Sequence, residues 1–185
     1  MKKILRKKLL AERKKLLKKF VERASNRICA KLASSREFKA AKKILFYFPV
    51  RNEVDCMPAI ERAFREGKKV FLPRIRGKEF QVVGVKNFGE LEKMPRGAFG
   101  IPEPAGRKTA LEKIGLIVVP GVAFDLQGHR LGYGKGFYDA LLRRKKAGSV
   151  AAGLCYTQFL VEKLPVSKWD KRVNAIITEN GVKIM

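Results

Sequence analysis

Apolar residues recur along the first part of the chain at spacings of four or seven positions, with lysines and arginines between them. The apolar positions are Leu5, Leu9, Leu16, Phe20, Ala24, Ile28 and Leu32. On a helix, this spacing gathers the apolar side chains into one stripe and leaves the cations on the other faces. The pattern therefore predicts amphipathic helix over residues 2–33, with room for one break.

The next part of the chain alternates apolar runs with one amphipathic segment. Residues 42–49 (KKILFYFP) and 68–75 (KKVFLPRI) are typical of buried strands, and the segment 54–67 between them is typical of a helix. Strand, helix and strand together predict a βαβ unit. A further strand is expected at 79–85. The segment 87–106 is rich in glycine and proline, which predicts a long surface loop.

Continuous apolar runs return in the last third of the chain. Residues 114–125 (IGLIVVPGVAFD) open with the kind of run expected in a parallel sheet that is covered on both faces. A helix over 137–146 and strands at 149–156 and 174–178 follow. Without an internal repeat or a low-complexity linker, residues 1–185 are predicted to form a single three-layer α/β/α domain with a mostly parallel central sheet.

A glycine-rich segment, residues 120–139 (PGVAFDLQGHRLGYGKGFYD), follows the buried run and ends in the predicted helix. Its alternating glycines at 132–136 allow backbone N–H groups to turn toward an anion. Arg130 and Lys135 could contact phosphate oxygens, and the start of the helix near Phe137 adds a partial positive charge. Ligands of open α/β sheets bind at the carboxyl ends of strands, so the segment predicts a phosphate-binding loop.

Generic motifs leave the details of this loop open. The segment is not a Walker loop, because His129 and Gly136 stand where that motif needs Gly and Ser or Thr, and Phe137 breaks the GxGxxG pattern. A flexible strand-to-helix connection is the alternative. Asp125 and Asp139 flank the loop, where a carboxylate could hold Mg²⁺, form an Asx turn or occupy a first helical turn.

The formal net charge of +25 favours a polyanionic partner, which is nucleic acid, a membrane surface, or a phosphorylated or carboxylated small molecule. Solvated helix faces and adaptation to heat explain the same charge without any partner. We give these two explanations more weight than nucleic-acid binding, because charge alone does not define a site.

Cysteine and histidine content excludes several kinds of site. Cys29, Cys56 and Cys155 are widely separated and are predicted to be buried free thiols. His129 is the one histidine, so a hydrolase triad or a zinc site built from several histidines cannot form. The sequence has no apolar run long enough to span a membrane and no apolar stretch of a signal peptide, so we expect a cytoplasmic protein.

Residues 120–139 resemble the signature of the 5-formyltetrahydrofolate cyclo-ligase family, also called 5,10-methenyltetrahydrofolate synthetases. The likeness runs through consecutive positions rather than a few glycines, which makes it specific. It extends over the whole chain through Lys2 and Arg6 (Lys-x-x-x-Arg), Glu53 in FPVRNE, Phe99 before GIPEP, and the late aspartate Asp170.

The resemblance implies a single α/β domain that closes 5-formyltetrahydrofolate to 5,10-methenyltetrahydrofolate with ATP and Mg²⁺, releasing ADP and phosphate. In the family's mechanism the formyl oxygen attacks the γ-phosphate, and N10 of the folate then attacks the activated carbon as phosphate leaves. Phosphoryl transfer requires mainly positioning and charge neutralisation. The expected partners are the two small-molecule substrates, with no membrane, no requirement for nucleic acid, and a monomeric chain.

The resemblance also implies roles for individual residues. The ATP-binding positions are Lys2, Arg6, Arg130, Leu131, Gly132, Tyr133, Gly134, Lys135, Gly136, Phe137 and Tyr138. The folate-binding positions are Phe48, Glu53, Phe99, Tyr133, Gly134, Lys135, Gly136 and Phe137. The magnesium positions are Asp139 and Asp170. The catalytic positions are Arg130, Lys135 and Tyr138, of which Arg130 and Lys135 would stabilise the transferring phosphoryl group.

Some positions depart from the family pattern. Trp169 and Asn174 replace polar or acidic groups near Asp170, and Tyr133 stands where some relatives have arginine. Phe99 occupies a stacking position that is Trp in some relatives. Two alternatives to the cyclo-ligase remain at this point: a basic RNA-binding module, and another ATP-dependent enzyme on the same scaffold.

Overall fold

In a computed structural model, which describes residues 1–77 and 79–185, the chain begins with two helices separated by a short break. Helix α1 spans Lys2–Lys14 and helix α2 spans Lys18–Ser34. In α2, Ala24, Ile28 and Leu32 are buried at successive spacings of four, as expected for the face of a helix that packs on a core. The helices therefore lie where the apolar pattern predicts them.

The rest of the chain alternates short helices and strands. The remaining helices are α3 (Arg36–Ala40), α4 (Met57–Arg65) and α5 (Phe137–Arg143). The strands are β1 (Lys43–Leu45), β2 (Lys69–Arg76), β3 (Glu79–Val85), β4 (Lys108–Thr109), β5 (Leu116–Val119), β6 (Ala123–Asp125), β7 (Arg130–Leu131), β8 (Val150–Leu154), β9 (Leu160–Val161), β10 (Ala175–Ile177) and β11 (Val182–Ile184).

Eight strands form one sheet in the order β11-β10-β8-β5-β1-β2-β3-β4. The central run from β10 through β8, β5 and β1 to β2 is parallel, whereas β11, β3 and β4 pair antiparallel at the two edges. The predicted α/β fold with a mostly parallel central sheet is confirmed. A smaller sheet, β7-β6-β9, contains the first half of the glycine-rich segment.

The switch point of the sheet lies between β1 and β5. All four residues of β5 are buried, which explains its continuous apolar sequence. The chain leaves β1 through α4 toward one edge and leaves β5 through α5 toward the other edge. Ligands bind outside the carboxyl ends of strands at such a point.

Several boundaries differ from the sequence-based expectation. Helix α5 ends at Arg143, before the predicted end at residue 146. The predicted loop 87–106 contains a 3₁₀ helix at Phe88–Lys93 and a tight turn at Ala98–Gly100, in which Phe99 has a φ of 62°. The missed strands β4, β7, β9 and β11 have only two or three residues each, which is too short for an alternating pattern to be visible.

The three cysteines are free and buried, as predicted. Burial raises the pKa of all three thiols, that of Cys29 to about 12, so they stay protonated at neutral pH. Within the described ranges, no helix combines the length and the apolar character needed to cross a membrane.

Candidate functional site

One face of α1 lies against the glycine-rich segment. Lys2, Arg6 and Arg13 share this face because they are four and seven positions apart. The ammonium of Lys2 contacts the carboxylate of Asp170, and Arg6 Nε donates a 2.6 Å hydrogen bond to the carbonyl of Gly132. The two predicted N-terminal cations therefore meet the predicted loop and the predicted late aspartate.

The loop 130–139 exposes free backbone amides. Gly134 has a φ of 96°, a left-handed conformation that favours glycine, and it lies next to the guanidinium of Arg6. Across residues 1–77 and 79–185, no acceptor takes a hydrogen bond from the amides of residues 132–136. These donors are available to an anionic ligand. Helix α5 has only seven residues, so its dipole contributes less than the sequence suggested.

Arg130 lies beneath this loop rather than on its surface. It is 8% exposed, its Nη2 is 3.0 Å from Asp139 Oδ1, and its guanidinium is 5.4 Å from the ring centre of Tyr138. Burial lowers the pKa of Arg130, and the Asp139 carboxylate opposes that shift. Burial raises the pKa of Tyr138, so its hydroxyl stays protonated. Arg130 Nε and the Tyr138 hydroxyl are buried with no hydrogen-bond partner among the described residues, which points to a ligand or water.

A row of aromatic rings adjoins the loop. Phe99 is 59% exposed, and the Lys135 ammonium lies 5.8 Å from its ring centre. The ring of Phe137 lies 6.4 Å from that of Phe99 and 6.4 Å from that of Phe80. The exposed face of this row can stack against a planar ligand.

Asp139 and Asp170, the predicted magnesium positions, are both held by donors near the loop. Besides its ion pair, Asp139 Oδ1 accepts a 3.2 Å hydrogen bond from the amide of Lys171, and Asp170 Oδ2 accepts bonds from Lys2 and the amide of Ser167. Burial opposes ionisation of Asp170, but these hydrogen bonds outweigh it and lower its pKa.

Within the described residues, no group of three or more His, Cys, Asp or Glu gathers to hold a metal ion. Two carboxylates are nevertheless the hard oxygen donors that Mg²⁺ uses together with the phosphates of a nucleotide. The pair Asp139 and Asp170 therefore fits an ion shared with a substrate rather than one bound by the protein alone.

Glu53 lies at the switch point, in the turn after β1. It is 6% exposed, its Oε2 accepts a 3.0 Å hydrogen bond from the Val50 amide, and its Oε1 accepts one of 2.8 Å from the Tyr133 hydroxyl. Burial raises the pKa of Glu53, and the nearby charge of Arg13 opposes that shift. Tyr133 thereby connects Glu53, the carboxylate predicted to bind folate, to the glycine-rich loop. Helix α4 begins after Asp55, whose carboxylate accepts from the Met57 amide, so Glu53 is not its cap.

Arg13 is a site residue that the sequence analysis missed. Its side chain is buried, donates to the carbonyls of Gly121 at 2.8 Å and Arg51 at 3.1 Å, and donates to the Tyr133 hydroxyl. A signal was present in the sequence: position 13 lies four residues after Leu9, on the apolar stripe of α1. A cation on an apolar stripe needs buried acceptors.

Three other positions lie deeper than their predicted roles suggest. The Leu131 side chain is in the core, and its carbonyl accepts from the Val122 amide at 2.7 Å, so it supports the loop from below. Phe48 is half-buried and packs against the core at the end of β1.

The Asp125 side chain is fully buried. Its oxygens accept hydrogen bonds from the amides of Gln127, His129 and Leu164 and face the His129 ring nitrogen Nδ1 at 3.0 Å. Of the alternatives for Asp125, the structure favours the turn over a metal ligand.

The sequence profile described as the 5-formyltetrahydrofolate cyclo-ligase family matches residues 1–179. The chain belongs to this family. The probable 5-formyltetrahydrofolate cyclo-ligase of Schizosaccharomyces pombe is 30% identical over 184 residues, which cover 91% of this chain and 90% of that protein. The 5-formyltetrahydrofolate cyclo-ligase of Escherichia coli K12 is 31% identical over 146 residues, which cover 77% of this chain and 80% of that protein.

A solved structure shows the same fold. The NMR structure of Aquifex aeolicus 5,10-methenyltetrahydrofolate synthetase has a TM-score of 0.87 and 39% identity, and the alignment covers 99% of this chain and 92% of that one. The resemblance read from the sequence is confirmed, and with it the assignment of this cyclo-ligase family member to the ligase enzymes of folate metabolism.

Proposed function

We propose that this chain converts 5-formyltetrahydrofolate to 5,10-methenyltetrahydrofolate with consumption of ATP, releasing ADP and phosphate. The names of the relatives supply both ends of the reaction, because the Schizosaccharomyces pombe and Escherichia coli proteins are named for the substrate and the Aquifex protein for the product. The observation that carries the proposal is the hydrogen bond between Tyr133 and Glu53. It joins the residues proposed for the nucleotide and those proposed for the folate into one continuous site.

The nucleotide would bind along the loop 130–139. The free amides of residues 132–136 can donate to phosphate oxygens, and the cations Lys2, Arg6 and Lys135 border the same loop. Arg130 lies beneath the loop, and its Nε has no hydrogen-bond partner among the described residues, so it can donate to a phosphate oxygen. Such donors are arranged before the reaction, so they can stabilise charge that moves onto the transferring phosphoryl group. Mg²⁺, held by Asp139 and Asp170 together with the phosphates, would neutralise part of that charge.

The folate would bind between the switch point and the aromatic row. The Glu53 carboxylate has oxygens that can accept hydrogen bonds from the N–H groups of a pterin ring. Phe99 and Phe137 offer an apolar face for the same ring, and Phe48 closes the deeper side. Lys135 lies over Phe99, so this cation is next to both substrates.

The reaction then proceeds in two steps that the protein mainly positions. The formyl oxygen attacks the γ-phosphorus, and ADP leaves with the electrons of the broken P–O bond. N10 next attacks the activated formyl carbon, the C–O bond breaks, phosphate leaves with the former formyl oxygen, and N10 loses its proton. No histidine base is needed, which agrees with a single histidine that already contacts Asp125 and Arg172.

The test is an assay that follows oxygen as well as product. Purified protein is incubated with Mg-ATP and 5-formyltetrahydrofolate labelled with ¹⁸O in the formyl group, and the methenyl product is followed by ultraviolet absorbance. We expect product and ADP in equal amounts, with the label recovered in inorganic phosphate. Omission of ATP is the matched control. Absence of product at high enzyme concentration, or label that stays out of phosphate, contradicts the proposal.

A further inference from the structure

Arg13 connects three separate parts of the chain at the switch point. It lies in the last turn of α1 and is 2% exposed. Its Nη1 donates to the Gly121 carbonyl after β5, and its Nε donates to the Arg51 carbonyl after β1. In return, the side-chain amide of Asn52 donates to the Arg13 carbonyl at 3.1 Å. An arginine fork with several fixed acceptors is held in one orientation.

The remaining Arg13 nitrogen starts a directed chain of hydrogen bonds that ends at Glu53. Arg13 Nη2 donates to the oxygen of Tyr133, and the Tyr133 hydroxyl donates to Glu53 Oε1 at 2.8 Å. A tyrosine hydroxyl has one proton, so a hydroxyl that accepts from arginine directs its own proton to the carboxylate. Burial raises the pKa of Tyr133, and the Glu53 charge raises it further, which keeps that proton in place.

The backbone from Glu53 to Asp55 is held by hydrogen bonds that do not involve Arg13. The Tyr156 hydroxyl donates to the Glu53 carbonyl at 2.9 Å, and the Tyr47 hydroxyl donates to the Val54 carbonyl at 2.6 Å. The Ser25 hydroxyl accepts from the Asp55 amide at 2.9 Å. With these three residues held in this way, Arg13 acts on the turn before Glu53 and on the direction and charge of the Glu53 side chain.

Almost no space for solvent is left in the cavity beside Arg13 and Glu53. The cavity bounded by Arg13, Glu53, Gly121 and Tyr156 has a volume of about 10 Å³. A cavity of that size accommodates at most about one water molecule. Tyr133 bridges the 4.0 Å between Arg13 Nη2 and Glu53 Oε1, and both side chains are buried, so the two charges are weakly screened.

We propose that Arg13 is a positioning residue for Glu53, which it keeps ionised and directed, through Tyr133, toward the place where the pterin binds. The proposal rests on the proposed function, since it assigns Glu53 to the folate. Arg13 itself touches no reacting atom in this scheme.

The pKa of Glu53 depends on the charged and titratable groups that face its carboxylate. They are Arg13 of α1, Arg51 of the same turn, Tyr47 and Cys56 on either side of that turn, Tyr133 after β7, Tyr138 of α5 and Tyr156 after β8. Arg13 and Arg51 are the cations in this set, and Arg51 is exposed, so solvent weakens its effect. Loss of the buried cation should therefore raise the pKa of Glu53.

The experiment compares the wild-type protein with Arg13→Met, Arg13→Lys and the control Lys14→Met, which removes the neighbouring exposed cation. Values of kcat and KM for each substrate are measured from about pH 5 to about pH 9, across the range in which a raised carboxyl pKa becomes visible. For Arg13→Met we expect the folate KM to rise about tenfold or more, with the ATP KM changed much less. The acid limb of kcat/KM for folate should move up by about one pH unit or more, because a carboxylate loses its buried counter-charge.

Arg13→Lys keeps the charge and loses the fork, so its acid limb should return toward that of the wild type while its folate KM stays raised several-fold. A wild-type acid limb and folate KM in Arg13→Met, with only a lowered melting temperature, would show a purely structural role. Should Arg13→Met fail to fold, an unchanged folate KM in Arg13→Lys overturns the proposal. Inactivity of the wild type toward folate contradicts the proposed function instead, which separates the two failures.

Discussion

The ammonium group of Lys135 lies 5.8 Å from the centre of the Phe99 ring, although both side chains are exposed. Exposed cation–π pairs contribute only about 0.5–1 kcal/mol to a fold. The pair therefore contributes little to stability, and its main interest is the contacts that it offers to the proposed substrates. It places a candidate phosphate contact beside a candidate pterin contact, and each can be removed separately.

Phe99→Ala should raise the folate KM about three- to tenfold, because one aromatic stacking contact is worth about 0.5–1.5 kcal/mol. The melting temperature should stay close to that of the wild type, because the ring is 59% exposed. Phe99→Trp should retain the low KM. Leu17→Ala, at another exposed apolar position, is the control. Steady-state kinetics with varied folate checks this, and an unchanged folate KM in Phe99→Ala would remove Phe99 from the site.

Lys135→Ala and Arg130→Ala should differ in stability although both should lose turnover. Lys135 is exposed, so its loss should reduce kcat about 100-fold, as for one preorganised transition-state donor, with little change in unfolding free energy. Arg130 is buried against Asp139, so its loss should also lower the unfolding free energy by about 3 kcal/mol.

The measurements for this pair are kcat under saturating substrates and urea unfolding. Lys146→Ala removes an exposed lysine outside the loop and serves as the control. Full turnover in Lys135→Ala would contradict the role proposed for its charge. Wild-type stability in Arg130→Ala would contradict the importance of the Asp139 pair.

Trp169 should report nucleotide binding through its fluorescence. It is the one tryptophan of the chain, it is 61% exposed, and it precedes Asp170, which contacts Lys2. Binding of Mg-ATP should change its emission, because the neighbouring charges and solvent exposure change. In Asp170→Asn, the Mg-ATP concentration at the midpoint of the titration should rise about tenfold or more, as expected for loss of a charged contact. A titration curve in Asp170→Asn that matches the wild type would exclude Asp170 from the nucleotide site.

Asp125→Asn should destabilise the protein at neutral pH and much less in acid. Burial opposes ionisation of Asp125, but hydrogen bonds from Leu164, His129 and Gln127 outweigh it and lower its pKa. A lowered folded pKa stabilises the protein above the unfolded value of about 3.9 and stops doing so as the pH falls through the folded value. We expect a loss of about 2 kcal/mol at neutral pH.

Urea unfolding at pH 7 and at a series of lower pH values below about 3.9 follows the loss of this contribution as Asp125 takes up its proton. Glu61→Gln, which neutralises an exposed carboxylate on α4, should change stability little at any of these pH values. An Asp125→Asn effect that is equally large in acid would show that shape, rather than charge, makes Asp125 important.

The parts of the fold that sequence predicted well are those in which burial imposes a long pattern. The continuous apolar run of β5 and the spacing of four in α2 are visible in the residues themselves. Strands β7 and β9 have two residues each and exist only because β6 lies between them. By contrast, β3 pairs antiparallel with β2 through a local connection, because only two residues separate Arg76 from Glu79.

The candidate site shows the same limit at the level of single residues. Resemblance supplied Glu53, Lys2 and Arg6 from short motifs. Arg13 was missed because its acceptor Gly121 is 108 residues away, and its place on the apolar stripe of α1 was the one signal that the sequence offered. For Asp125, spacing allowed both a metal ligand and a turn, and only the burial of its side chain distinguished them.

Helix α1 touches the site at both of its ends. A thirteen-residue helix is about 20 Å long and moves as one body. Its first turn meets Asp170 and its last turn meets Tyr133, so one short helix contacts both the proposed nucleotide side and the proposed folate side of the site. In the proposed site, such a rod would link the nucleotide contacts to the folate contacts, and any effect of one substrate on the affinity for the other would then be equal in both directions.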